Sequence, residues 1–133
     1  MKVAAVQQRL LGWLQGLLAE KDIEVVATAL DCTRAILIAL APLPHDAEVD
    51  LAELTVNTNT AARILSLHAE YVRSIIRQGL LDATKQNGEY QVRLSDLVDF
   101  MQTRMRGRER VFRLPPRFPD WKGLPRVRLQ GED

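Results

Sequence analysis

One cysteine and two histidines are all that this 133-residue chain offers as soft or imidazole ligands. Cys32 alone cannot close an internal disulfide, and its reduced state suits a cytoplasmic setting. His45 and His68 fall in different segments, so no zinc-ligand set is expected. A Gly-rich phosphate loop and a Gly-x-Ser-x-Gly elbow are also missing. The sequence therefore carries no catalytic residues, no metal site and no cofactor, and it does not read as an enzyme. No apolar run approaches the roughly 20 residues of a membrane span. Gln7, Gln8, Arg9 and Gln15 interrupt the pattern that follows Lys2, so no signal peptide is expected either. A cytoplasmic protein that makes no membrane contact is the expectation.

Aromatic residues amount to only 5%, although 47% of the chain is apolar. A core built from such a mixture is aliphatic and mainly helical. Charge nearly cancels at +1, yet it is graded along the chain. Residues 1–53 hold four Lys/Arg against eight Asp/Glu, a balance of −4. Residues 54–100 hold five of each, and residues 101–133 hold nine against four, a balance of +5. An acidic front, a neutral middle and a basic tail imply that the tail has a partner.

Residues 1–41 read as a helical hairpin. The first helix, over 2–20, places Val3, Val6, Leu10, Trp13, Leu14, Leu17 and Leu18 on one face, with Leu11 widening the stripe. Asp22 is placed to cap the second, which aligns Val25, Val26, Ala29, Leu30, Thr33, Ile36, Leu37 and Leu40 until Pro42 ends it. About two residues would join them. The hairpin's apolar surface exceeds what one small module needs, so a homodimer interface is expected; the alternative is that both helices wrap the chain's own core. Residues 42–53 are polar and proline-punctuated, a linker in which His45 is solvated.

The middle, 54–106, reads as helix, turn, helix, hairpin and helix. Asn57 caps the first helix, which buries Ala61, Ala62, Ile64 and Leu65. It breaks at Ser66-Leu67-His68, where Ser66 is placed to take positive φ. The second helix sets Val72, Ile75, Ile76 and Tyr71 on one side and Ala69, Glu70, Arg73, Ser74 and Arg77 on the other. Gly79 stops it. Asn87-Gly88 between 83–86 and 89–94 is a hairpin signal. Ser95 then caps a helix from Asp96 to about Met105, with Leu97, Val98, Phe100 and Met101 apolar.

The order Ala61-Ala62, Ile64-Leu65, Val72, Ile75-Ile76, Gly79, Leu81, Gly88 and Val92-Arg93-Leu94-Ser95-Asp96-Leu97 resembles the excisionase-type, MerR-like winged helix-turn-helix. That family occurs in phage excisionases, bacterial antitoxins and small repressors. The resemblance runs without a gap over about a third of the chain. It implies a mainly helical fold with a small two-stranded β wing, and double-stranded DNA as a partner. It also makes Asp96, three residues before Asp99, a helix-opening acid and not half of an acid pair. The chain departs from the family pattern at Thr60, Ser66, His68-Ala69 and Glu89-Tyr90-Gln91, where an acid, a glycine, Ser-Arg and a basic wing are usual.

In such a module the start of the second helix meets base edges, and later residues reach phosphate. Base readers are then His68, Glu70, Arg73 and Ser74, with Tyr71 nearby and Arg77 on phosphate. Glu70 can accept from cytosine N4, and Arg73 can pair with guanine O6 and N7. Lys85, Asn87, Tyr90 and Gln91 on the wing, with Arg93 behind them, would track the backbone or an adjacent minor groove, and Thr58 is counted with the DNA-binding set. A solvated helix face is the plainer account of Arg73 and Arg77. A module of zero net charge has few phosphate contacts to offer, so two linked copies or the basic tail would have to add affinity.

The tail, 107–133, combines four prolines with large apolar groups and arginines. Arg110, Phe112, Arg113, Arg117, Phe118, Trp121, Arg126 and Arg128 are set to lie along a partner surface, or to cap the chain's own core. The resemblance implies that the partner is a nuclease-like toxin, whose carboxylate cluster an arginine would fit. The expected function is thus a DNA-binding regulator, the antitoxin of a toxin–antitoxin pair. A phage-type excisionase or repressor, or a winged-helix adaptor without DNA binding, are the alternatives.

Overall fold

A computed structural model describes residues 1–16, 19 and 21–105, with Val25 known by its backbone only. The tail from 106 onward, and Leu17 and Leu18, lie outside the described residues.

Helix α1 spans Val3–Gly16 and buries Val3, Val6, Leu10 and Trp13 at helical spacing. Leu11 does not widen that face: it is 62% exposed, because it sits a quarter-turn from Leu10 and away from α2. No acid stands in the first turn of α1. Its unpaired N–H groups are met by the segment after α2 instead, Val3 N donating to Ala47 O and Ala4 N to His45 O, both at 3.0 Å. Residues 42–53 thus do more than connect. The backbones of Lys2 and Glu48 form an antiparallel β-bridge, and Leu51 is buried in the core.

Helix α2 spans Ile23–Leu40. Asp22 caps it as expected, its carboxylate accepting from Glu24 N at 2.9 Å. The buried face differs from the expected stripe. It comprises Thr28, Ala29, Cys32, Thr33, Ala35, Ile36, Ala39 and Leu40, and it packs against α3 and α5 as well as α1. Small residues let the neighbouring helices approach closely, and this turns α2 so that Ile23, Leu30 and Leu37 face outward. These three stand seven residues apart and form an uncovered apolar line. The hairpin and the middle of the chain share one core.

Strand β1 (Thr55–Asn57) runs into α3 (Thr58–Leu65), followed by α4 (Ala69–Arg77), β2 (Thr84–Gln86), β3 (Glu89–Arg93) and α5 (Leu94–Phe100). The last turn continues as a π-helix, Met101–Met105. The wing has three antiparallel strands and not two, in the order β1-β3-β2, with Val56 opposite Val92 and Lys85 opposite Tyr90. At the hairpin tip Asn87 and Gly88 have φ of 53° and 82°, as a type I′ turn demands.

Ser95 is not a cap. Helix α5 starts one residue earlier, after Arg93, which makes no side-chain capping bond, and Ser95 is buried inside it. A polar contact fastens the π-helical turn to α2: Thr28 Oγ1 donates to Gln102 Oε1 at 3.3 Å, and Gln102 Nε2 to Asp31 Oδ2 at 3.4 Å.

Candidate nucleic-acid interface

Helix α3 is built to stay in place. Asn57 Oδ1 accepts from Thr60 N at 2.9 Å, which meets one of the free N–H groups at its start. Ala61, Ala62, Ile64 and Leu65 bury its inner face. Ser66 then takes φ 58°, in the left-handed region, as its place in the turn requires. Leu67 N closes the turn on Ala62 O at 3.0 Å. The helix ends in a further contact: Arg34 of α2 donates to Ile64 O at 2.8 Å and to Arg63 O at 3.1 Å.

Helix α4 turns Val72 and Ile75 inward and leaves most of its surface in solvent. Tyr71, expected on the apolar side, is 56% exposed. It lies about 40° from Ile75 but about 100° from Val72, at the edge of the face those two residues bury. On the outer surface Glu70 holds two arginines. Its Oε2 lies 3.0 Å from Arg73 Nη1 and its Oε1 3.4 Å from Arg77 Nη2. Exposed pairs of this kind contribute at most about 1 kcal/mol. They orient the guanidinium groups yet release them to a stronger partner such as phosphate.

Between α4, the start of α3 and the wing lies a cleft of about 420 Å³. Asn57, Thr58 and Asn59 form one wall, Arg73 and Arg77 the second, and Lys85, Gly88, Glu89 and Tyr90 the third. Lys85 Nζ stands 5.3 Å from the Tyr90 ring centre, a cation–π contact that holds the ammonium over the wing. Three cations thus line one groove, with Glu89 beside them and Glu70 paired to two of them. Chemically this arrangement can grip a sugar–phosphate strand by charge and by amide donors.

The expected residues are partly gathered here. Thr58, Arg73, Arg77, Lys85 and Tyr90 line the cleft. His68 is exposed at the cap of α4 without a capping bond, and Asn87 stands at the hairpin tip. Ser74 accepts from Gln78 Nε2 at 2.9 Å. Gln91 and Arg93 alternate with Tyr90 and Val92 along β3 and so fall on its opposite face. There Gln91 Oε1 accepts from Thr55 Oγ1 at 3.4 Å, and Arg93 pairs with Glu53 at 3.5 Å. Asn59 and Glu89 belong to the cleft without having been singled out. The polar run Asn57-Thr58-Asn59 was the available sign. The tail set, from Arg110 and Phe112 to Arg126 and Arg128, lies outside the described residues.

Among the described residues no group of three or more His, Cys, Asp or Glu could hold a metal ion, and no helix is long and apolar enough to cross a membrane. Asp96, third in α5, has its carboxyl pushed above the usual value by partial burial and by Asp82 and Asp99, against the pull of Arg93.

A helix pair joined by a left-handed residue, followed by an antiparallel wing, with cations gathered where the second helix meets the wing, defines a winged helix-turn-helix. Residues 55–105 match the family profile described as a helix-turn-helix domain. That match spans 51 of the 133 residues, is consistent with an excisionase-like helix-turn-helix and supports a DNA-binding regulator. Neither the curated proteins nor the solved structures contain a match to the chain.

Proposed function

We propose that the chain is the antitoxin of a toxin–antitoxin pair, binding operator DNA through α4 and the wing and a nuclease-like toxin through residues 107–133. One observation carries the DNA half: Arg73, Arg77 and Lys85, from two separate elements, line a single cleft that also takes in the start of α3. The toxin half rests on the tail's composition, in which arginines alternate with large apolar anchors. A homodimer fits both. Ile23, Leu30 and Leu37 form a line that is symmetric about Leu30, so a second copy running antiparallel would meet it with the same three residues. Two modules could then reach half-sites about 34–36 Å apart and offset the weak charge of one.

A mobility shift on the DNA upstream of the coding sequence, repeated across salt concentrations, tests the operator reading. Co-expression with the neighbouring open reading frame tests the toxin reading, which fails if that product is harmless and does not co-purify. One observation favours the adaptor alternative: Glu70 already occupies both arginines of α4. Absence of a shift at about 50 mM salt, where phosphate contacts are strong, would select it.

A further inference from the structure

We infer that Arg34, on α2 and outside the matched segment, is a positioning residue for the recognition helix, fixing the turn that sets α4 against the rest of the module. The inference rests on the DNA-binding reading and names a residue that the helix-turn-helix itself does not contain. Residues 63 and 64 lie in the last turn of α3, where carbonyl groups have no donor within the helix; Arg63 O also accepts from the cap residue, Ser66 N, at 3.3 Å. Arg34 supplies two: Nη1 to Ile64 O at 2.8 Å and Nη2 to Arg63 O at 3.1 Å, with Ser66 Oγ 3.5 Å from Nη2. The planar fork spans adjacent carbonyls that an ammonium could only take singly.

What the fork holds is the critical joint. Ser66 sits at φ 58°, a conformation that a residue with a side chain keeps only where its surroundings enforce it. Two residues later α4 begins, at a cap whose His68 side chain makes no capping bond. The opening of α4 therefore depends on the turn before it. Arg34 also lies between Leu30 and Leu37 on the open line of α2, one turn from each. A protein covering that line would touch the residue that grips the turn.

Full-length Arg34→Met and Arg34→Lys are compared with wild type by amide hydrogen exchange and by mobility shift on the upstream duplex. Arg34→Met is expected to speed exchange at Ser66 and Leu67 by about tenfold, the scale of one lost charge-assisted hydrogen bond. Exchange in β3 and in the buried part of α2 stays as in wild type. Duplex affinity drops roughly fivefold or more, within the range of a site-to-site coupling, and Arg34→Lys falls between the two. Unchanged exchange at Ser66 and Leu67, or an increase spread evenly over the chain, overturns the hold on the turn. A loosened turn with undiminished affinity overturns the positioning role. If the wild-type protein binds no duplex, the operator reading fails by itself, and with it the role in recognition, while the exchange data still decide whether Arg34 holds the turn.

Discussion

The two helices on either side of Ser66 are of nearly equal length and are treated in opposite ways. In α3, five of eight residues are buried, its start is capped by Asn57, and its last carbonyls are taken by Arg34. In α4, two of nine are buried, its start has no side-chain cap, and its charged surface is paired within itself. Neither arrangement follows from helix propensity. Helix α3 is anchored from every side, so that α4 can be displayed with little to restrain its outer surface. The difference separates residues that keep the module folded from residues free to meet something else.

The contrast can be broken most forcefully from the α3 side. Ile64 is 1% exposed in the shared core. Ile64→Ala should cost about 2–5 kcal/mol in urea unfolding, through lost burial and a cavity. A loss below 1 kcal/mol would mean that α3 is not the anchor. Next in size, Arg73→Ala should leave the unfolding midpoint nearly where it was and weaken specific duplex binding by about 1–3 kcal/mol if the residue reads a base. If it meets phosphate instead, the salt dependence should flatten by about one in slope. A change in stability without a change in binding would reverse the assignment of roles.

A smaller effect is expected at the cap. Asn57→Ala should lower stability by about 1 kcal/mol, visible as a reduced urea midpoint at unchanged slope. Glu70→Gln sharpens the comparison on the α4 side. It releases Arg73 and Arg77 and removes a negative charge from the outer surface of α4. Binding to random-sequence duplex should rise, with little change in unfolding. Weaker binding would show that Glu70 itself accepts from a base. The smallest effect lies outside both helices. The Asp96 carboxyl is held above 3.8 in the fold, so as pH rises past about 4 the unfolded chain loses its proton first and the folded state becomes relatively costlier. Asp96→Asn should therefore gain stability on wild type as pH rises from there, and gain nothing at lower pH; paired urea titrations across that range would check it.

Features with local causes were legible in the sequence. Asn57, Ser66, Gly79 and Asn87-Gly88 each impose a backbone conformation or bond on their own neighbours, and all four adopt the expected roles. What depended on distant partners was not legible. Strand β1 is three residues long and pairs with residues 91–93, so nothing near Thr55 announces it. Of the stripe expected on α2, Ala29, Thr33, Ile36 and Leu40 are buried, whereas Leu30 and Leu37 are exposed. Small residues at 28, 32, 35 and 39 complete the buried face, because three helices converge on α2. Arg34 carried no signal at all, since its targets are backbone carbonyls about 30 residues away. Within the cleft, Arg73, Arg77 and Lys85 were visible as exposed charges on recognisable elements. Their gathering around one groove needed the coordinates.

Asn57 has a double duty whose mechanical consequence is plain. It ends β1, opposite Gln91, and it opens α3. With no residue between strand and helix, the wing has no hinge at its inner edge, and its base moves with the scaffold helix as a single rigid bracket. If the proposed operator reading holds, a duplex of the wrong groove width could not be accommodated by swinging that bracket. The DNA would have to deform to fit, or the misfit would fall on the outermost loop at residues 87 and 88.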